Sequence, residues 1–248
     1  MFERLAIPRP IAPEELDACL ASGWYRMGQT VFTTDYLCFG HALYRAVWLR
    51  VGLHDFNGGK TLQRLRQRNR DLRVILRPAE PGAEQERLWA RYRASVHFEP
   101  AESLHNLLYR FGVGEEDHFR THELCLYRGE QLVACSYFDT GQHSAEGISA
   151  FYDPEFRNRS LGKYLIYLQA QYCRDRGLRW FYPGYFVPGH AHLDYKLSIG
   201  RSTLEFFDPL QRDWFPIEQF NDPGLPLAAG TRFLQLMEFW DETDDQVQ

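Results

Sequence analysis

The 248-residue sequence holds no apolar run near the roughly 20 residues that span a bilayer. Its five cysteines, at 19, 38, 125, 135 and 173, are never closer than ten residues and include no C-x-x-C pair. An odd, scattered set argues against a disulfide framework and against a conventional zinc site, so each reads as a buried, reduced thiol. Met1-Phe2-Glu3-Arg4-Leu5 lacks a basic stretch followed by a long apolar one, so no signal peptide is read and the cytoplasm is expected. There is no Ser/His/Asp order and no G-x-S-x-G elbow. Net charge is small, formally −5, and the five acids of 238–248 account for all of it. An acidic total over an otherwise neutral chain still admits a nucleic-acid partner if the basic residues cluster.

What is present suffices for a core: 44% hydrophobic, 15% aromatic and 25% charged residues exclude disordered and fibrous classes. The length allows one large domain or two small ones. We expect an N-terminal region, 1–57, packed on a core of 58–237, followed by an acidic tail, 238–248. In the first part Glu14–Leu20 reads as a short helix; strand-like stretches begin at Gly23-Trp24-Tyr25-Arg26 and cover Tyr44–Leu53. Lys60–Arg77 is basic, with Lys60, Arg64, Arg66, Arg68, Arg70, Arg73 and Arg77 against Asp71. Its first half reads as a helix with Leu62 and Leu65 inward, its second as a strand. Leu88, Tyr92 and Val96 mark a helix over 84–97, and a shorter one follows over 103–110.

The period then changes. Residues 122–128 and 131–139 read as antiparallel strands about the Gly129-Glu130 turn, and a third strand covers about 145–152. Residues 160–176 form a helix with Leu161, Tyr164, Leu165, Leu168 and Tyr172 apolar, Ser160 as its cap and Gly177 at its end. Another strand follows at 178–186, with more near 203–207 and 214–217. Three strands, a helix, then a strand is the core order of the N-acyltransferase (GNAT, acetyltransferase-like) fold. The expected class is therefore α/β (α+β), with a mixed, mostly antiparallel sheet flanked by helices.

Two stretches suggest chemistry. Phe151-Tyr152-Asp153-Pro154 leads through Arg157-Asn158-Arg159 into Ser160-Leu161-Gly162, a helix start whose free backbone N–H groups suit a phosphate or oxyanion. It also reads as an ordinary Ser-capped helix, and Ser160 replaces the first glycine of the acetyltransferase pyrophosphate loop. Phe181 to Lys196 combines two prolines, two glycines and several aromatics in a pocket-forming loop, where Tyr and Lys can donate to carbonyl or phosphate oxygens. His190 and His192 fall within it.

Taken together, Phe151-Tyr152-Asp153-Pro154, Ser160-Leu161-Gly162, Gly184-Tyr185 and Tyr195-Lys196 resemble the C-terminal signature of the arginyl-tRNA–protein transferases and their bacterial aspartate/glutamate leucyltransferase relatives. Leu132-Val133-Ala134 and Arg68-Asn69-Arg70-Asp71-Leu72 fit the same family, and Gly23-Trp24-Tyr25-Arg26 matches weakly. The resemblance covers about 60–208. It implies transfer of an amino acid, of the arginine or leucine class, from aminoacyl-tRNA to the N-terminal amine of a protein or peptide that begins with an acidic residue. The product is an N-degron. Family members usually carry a cysteine cluster where this chain reads Thr33 to Gly40 and keeps only Cys38. This is a divergent member, and no metal is expected.

Under that resemblance Asp153, with Tyr152 beside it, holds the donor's α-ammonium or takes a proton; an Asx turn before Pro154 is the plainer reading. Ser160, Leu161, Gly162, Lys163, Tyr185, Tyr195 and Lys196 are candidates for the aminoacyl-tRNA end. Arg64, Arg66 and Arg70 are candidates for its phosphates, and Arg68 with Asn69 for the acceptor's carboxylate; a solvated helix face is the alternative. No cofactor beyond the co-substrate aminoacyl-tRNA, no membrane and no DNA is expected. Rival readings are an acetyl-CoA-dependent N-acetyltransferase, a tRNA-dependent transferase acting on a small amine, and a non-catalytic tRNA- or degron-binding module.

Overall fold

The computed structural model describes residues 2–39, 42–96, 100–112, 117–189, 191–222 and 227–228. In chain order the elements are β1 (Phe2–Ala6), α1 (Pro13–Ala21), β2 (Tyr25–Met27), β3 (Thr30–Thr34), β4 (Tyr36–Phe39), β5 (Ala42–Arg45), β6 (Val47–Gly52), α2 (Gly59–Arg68) and β7 (Arg73–Pro78). There follow α3 (Ala83–Arg93), α4 (Leu104–Tyr109), β8 (Thr121–Arg128), β9 (Gln131–Thr140), β10 (Ser144–Tyr152), α5 (Leu161–Asp175), β11 (Trp180–Phe186), β12 (Leu204–Asp208), β13 (Asp213–Pro216) and β14 (Leu227–Ala228).

The principal sheet has eight strands in the order β13-β12-β6-β11-β10-β9-β8-β7. Only β10 and β11 are parallel, joined by the α5 crossover that such a pair requires. This is the expected mixed, mostly antiparallel, acetyltransferase-like arrangement. The hairpin turn lies at Gly129, whose φ of +59° suits glycine. In β9, Leu132–Asp139 are all buried, because α5 covers one face of the strand and α3 with α4 the other. The α5 helix ends in a Schellman motif: Leu178 N–H donates to the Cys173 carbonyl at 3.0 Å and Gly177 N–H to that of Arg174 at 2.9 Å.

Two expectations need correction. The sheet draws strands from both sides of the 57/58 boundary, since β6 lies between β11 and β12 with Val47, Leu49 and Val51 fully enclosed. The α1 helix and the small β1-β3-β2 sheet lie against the principal sheet through Leu16, Leu20, Tyr25 and Phe32. Nor does Ser160 cap α5 with its side chain: it sits in the left-handed region (φ +56°, ψ +43°), and its hydroxyl accepts from Arg68. The 238–248 tail lies outside the described residues.

Candidate active site

The two parallel strands pair only over Ser144–Trp180, Ala145–Phe181 and Glu146–Tyr182. Beyond that point both change register against their outer neighbours, β10 between Gly147 and Ser149, β11 between Phe181 and Gly184. Pro183 has no N–H to continue the ladder, and Gly184 takes a φ of +88°. The strands splay, and a hollow of about 200 Å³ opens between them. Ile166 and Gln169 of α5 line it, as do Tyr25, Trp48, Tyr185 and Tyr195.

A carboxylate reaches this hollow from β10. Glu146 is 4% exposed, and the only hydrogen bonds it accepts among the described residues come from the backbone N–H of Arg26, at 3.1 and 3.2 Å. The Arg26 guanidinium is committed elsewhere. It donates to Asp139 at 2.9 Å, Thr121 at 2.6 Å and the carbonyls of Gly28 and Leu108, each at 2.6 Å. Burial, and then the neighbouring Asp139 charge, push the Glu146 carboxyl well above the usual range. Beside it the Tyr25 ring stacks on Trp48 at 3.4 Å, and its enclosed hydroxyl has no hydrogen-bond partner among the described residues. Half-buried Lys196 also lines the hollow, with Nζ donating to the Tyr185 carbonyl at 2.9 Å. Desolvation pulls this lysine down to about 8. Burial pushes the Tyr185 and Tyr195 hydroxyls up.

The other sequence-derived candidates gather at the start of α5. The first N–H groups of a helix have no intrahelical acceptor, and with Ser160 turned away those of Leu161, Gly162 and Lys163 are not capped by it. Gly162 lies against Tyr152. Burial lowers the Lys163 amine. This start is gripped by the basic segment. Arg68 donates to the Ser160 hydroxyl at 3.0 Å, Asn69 Nδ2 to the Arg159 carbonyl at 3.2 Å, and Arg159 makes a bidentate pair with Asp71 at 2.8 and 3.0 Å. Asn69 is 1% exposed and so turns inward, away from any acceptor. Arg64, Arg66 and Arg70 are exposed on or beside α2; Arg66 bonds Gln171 of α5.

Asp153 is buried at the far end of β10, outside the hollow. One oxygen accepts from Glu155 N–H at 3.1 Å, the expected Asx geometry, and the other pairs with Arg91 at 3.0 Å. Its own N–H and carbonyl tie to Val133 and Phe156, both at 2.9 Å. The structure thus brings Tyr185, Tyr195 and Lys196 into one cavity and leaves Asp153 and Tyr152 outside its lining. Sequence reasoning missed Glu146 and Trp48 and touched Tyr25 only through the weak Gly23-Trp24-Tyr25-Arg26 match: a lone glutamate in a strand and aromatics from the distant N-terminal segment give little local signal. His190 and the His192 side chain lie outside the described residues.

Comparison with known proteins gives a consistent result. The family model described as arginine-tRNA-protein transferase, C terminus, matches residues 84–205. An aspartate/glutamate leucyltransferase from Methylorubrum populi is 30% identical over 198 residues, covering 75% of this chain and 78% of its own length. One from Leptospira interrogans is 28% identical over 193 residues, covering 76% and 73%. Among solved structures, a C-terminal DUF2156 domain from Agrobacterium fabrum is similar with a TM-score of 0.44 and 16% identity, over 72% of this chain; the match spans about half, 54%, of that chain.

Proposed function

The chain belongs to the arginine-tRNA–protein transferase family, and from that premise we propose that it moves an amino acid from the 3′ ester of an aminoacyl-tRNA to the N-terminal α-amine of a protein or peptide with an acidic first residue. The observation that carries this reading is the hollow between β10 and β11, lined by a buried carboxylate and a half-buried lysine at the level where the parallel strands part.

The chemistry is aminolysis. The acceptor nitrogen attacks the ester carbonyl, a C–N bond forms, the C–O bond to the terminal ribose breaks, and the proton leaving nitrogen ends on the released ribose hydroxyl. The α-amine has a free pKa of about 7.7–8.0, so a useful fraction is already neutral. The protein must orient it, accept the proton and stabilise the oxyanion. Glu146 is the proton acceptor in this reading, because its carboxyl lines the hollow with no ion pair among the described residues and with only the Arg26 N–H as donor, so an oxygen is open to take the proton. Lys196 donates toward the carbonyl oxygen. The N–H groups of Leu161–Lys163, about 6 Å along the helix from Ile166 of the hollow, take the terminal phosphate, while Arg64, Arg66 and Arg70 meet the acceptor stem. Arg68 and Asn69 keep the helix start in place. No helix among the described residues is long and apolar enough to cross a membrane; the cytoplasm, where charged tRNA is made, is the compartment that fits.

Incubation with labelled aminoacyl-tRNA or labelled acetyl-CoA, each with peptides of every N-terminal residue, tests the proposal. Label should move from tRNA, and to peptides beginning with Asp or Glu. Label moving only from acetyl-CoA would overturn it.

A further inference from the structure

Another buried polar group of the sheet lies away from this hollow, on the face of β8 and β9 that α3 and α4 cover. Register sets Cys125 directly opposite Cys135 and Glu123 directly opposite Tyr137. Positions two apart share a face, so the four side chains make a square. All four residues are at most 1% exposed. The sulfurs lie 3.2 Å apart. Both are buried free thiols, as expected, and the hairpin brings the two together from ten residues apart; Cys19 and Cys38, by contrast, are only partly buried.

One atom of the square is left open by the rest of the protein. Arg77 and, more weakly, Gln85 donate to Oε1 of Glu123, at 2.5 and 3.5 Å, but Oε2 has no partner among the described residues, and the Tyr137 hydroxyl has only the Cys135 sulfur beside it. A buried carboxylate oxygen without a partner is costly, and beside two thiols it calls for a ligand. One carboxylate oxygen and the two sulfurs all lie within 4.8 Å of one another. Tetrahedral zinc, with Zn–S about 2.3 Å and Zn–O about 2.1 Å, sets sulfurs about 3.8 Å and sulfur and oxygen about 3.6 Å apart. Charge also balances: two thiolates and a carboxylate are met by a divalent ion and the Arg77 guanidinium.

We infer that Glu123, Cys125 and Cys135 form a site for a divalent transition metal of the zinc class, with the Tyr137 hydroxyl completing its shell. The site is closed by Leu88, Trp89 and Leu108 and takes no part in the transfer reaction. Its role is to clasp β8 to β9, and loading accompanies folding.

The test uses the full chain, unfolded under reducing conditions with chelator and refolded with or without cobalt(II). One cobalt per chain should bind, with an intense near-ultraviolet thiolate-to-cobalt band that zinc bleaches, and the metal-loaded protein should melt higher than the chelated one. The band should vanish in Cys125→Ser and in Cys135→Ser and persist in Cys38→Ser. Glu123→Gln should weaken binding by about tenfold or more. Absence of the band in the native sequence, or its persistence in both serine variants at 125 and 135, overturns the assignment. So does a Cys125–Cys135 disulfide forming without metal uptake. Should a serine variant fail to fold, the titration and melting of the native sequence decide.

Discussion

Strand β10 carries a buried acid near each end, and the two are held in opposite ways. Asp153, at the end that leads into α5, accepts from Glu155 and pairs with Arg91 across to α3; every polar atom it has is used in building the turn. Glu146, near the other end, is as deeply enclosed but rests on one backbone N–H, while the arginine beside it serves Asp139. The family motif marks Asp153, and the geometry marks Glu146. A residue whose charge is neutralised within the fold is already engaged; a buried carboxyl left without a cation is one that a cationic substrate or a transferred proton can use.

The largest effect that would break this contrast is kinetic. Glu146→Gln should lower the transfer rate by about 10²–10⁴-fold, the usual weight of a general base, with circular dichroism unchanged. Lys196→Met should act next, raising the donor KM by on the order of tenfold, as expected for a lost charge-assisted contact. Asp153→Asn should change the rate by less than tenfold and instead lower stability by about 1–2 kcal/mol, discounted because Arg91 is half-exposed; a turnover collapse with an unchanged melting point would reverse the roles of the two acids.

Titration sharpens the comparison further. A carboxyl whose folded pKa lies above its ordinary 4.5 keeps its proton longer when folded, so the Glu146 contribution to stability falls as pH rises from 4.5 through the folded value. Melting curves of Glu146→Gln should lose that fall, and those of Asp153→Asn should keep it. Lys196, depressed to about 8 from 10.5, works in the opposite direction: its contribution rises between those values, and Lys196→Met should flatten the rise. The smallest effect belongs to the basic segment around α2. Replacing Arg66 and Arg70 by Gln should reduce the salt slope of tRNA binding by about 0.7–0.9 per lost phosphate contact and leave the rate at saturating tRNA unchanged. If both slope and affinity hold, the phosphates are met elsewhere.

Much of the fold was legible because it is locally encoded. The hairpin strands β8 and β9, the apolar face of α5 and the glycines at 129 and 177 are encoded within a few residues, and the structure keeps them. The position of β6 was not, since nothing in Val47–Gly52 names partners in β11 and β12. The site divides in the same way. Tyr185, Tyr195 and Lys196 stand in one conspicuous loop and meet in one hollow. Glu146 becomes special only because two strands part beside it, and Tyr25 and Trp48 because a distant segment lies across that gap. The Arg68-Asn69-Arg70-Asp71 element was legible as a motif but not as a device: its polarity suggested a ligand, whereas Asn69 and Asp71 hold the loop before α5.

The place of β6 also bears on how the chain is made. It leaves the ribosome roughly 130 residues before β11 and roughly 150 before β12, the strands that flank it. At about 5–20 residues per second this is a delay on the order of ten seconds. The β8–β9–β10 meander, whose partners are adjacent in sequence, can assemble as it emerges, since short loops close early. The centre of the sheet cannot. Through that interval Val47, Leu49 and Val51 lack the two strands that later enclose them, so this segment is the one most in need of a holding chaperone during synthesis.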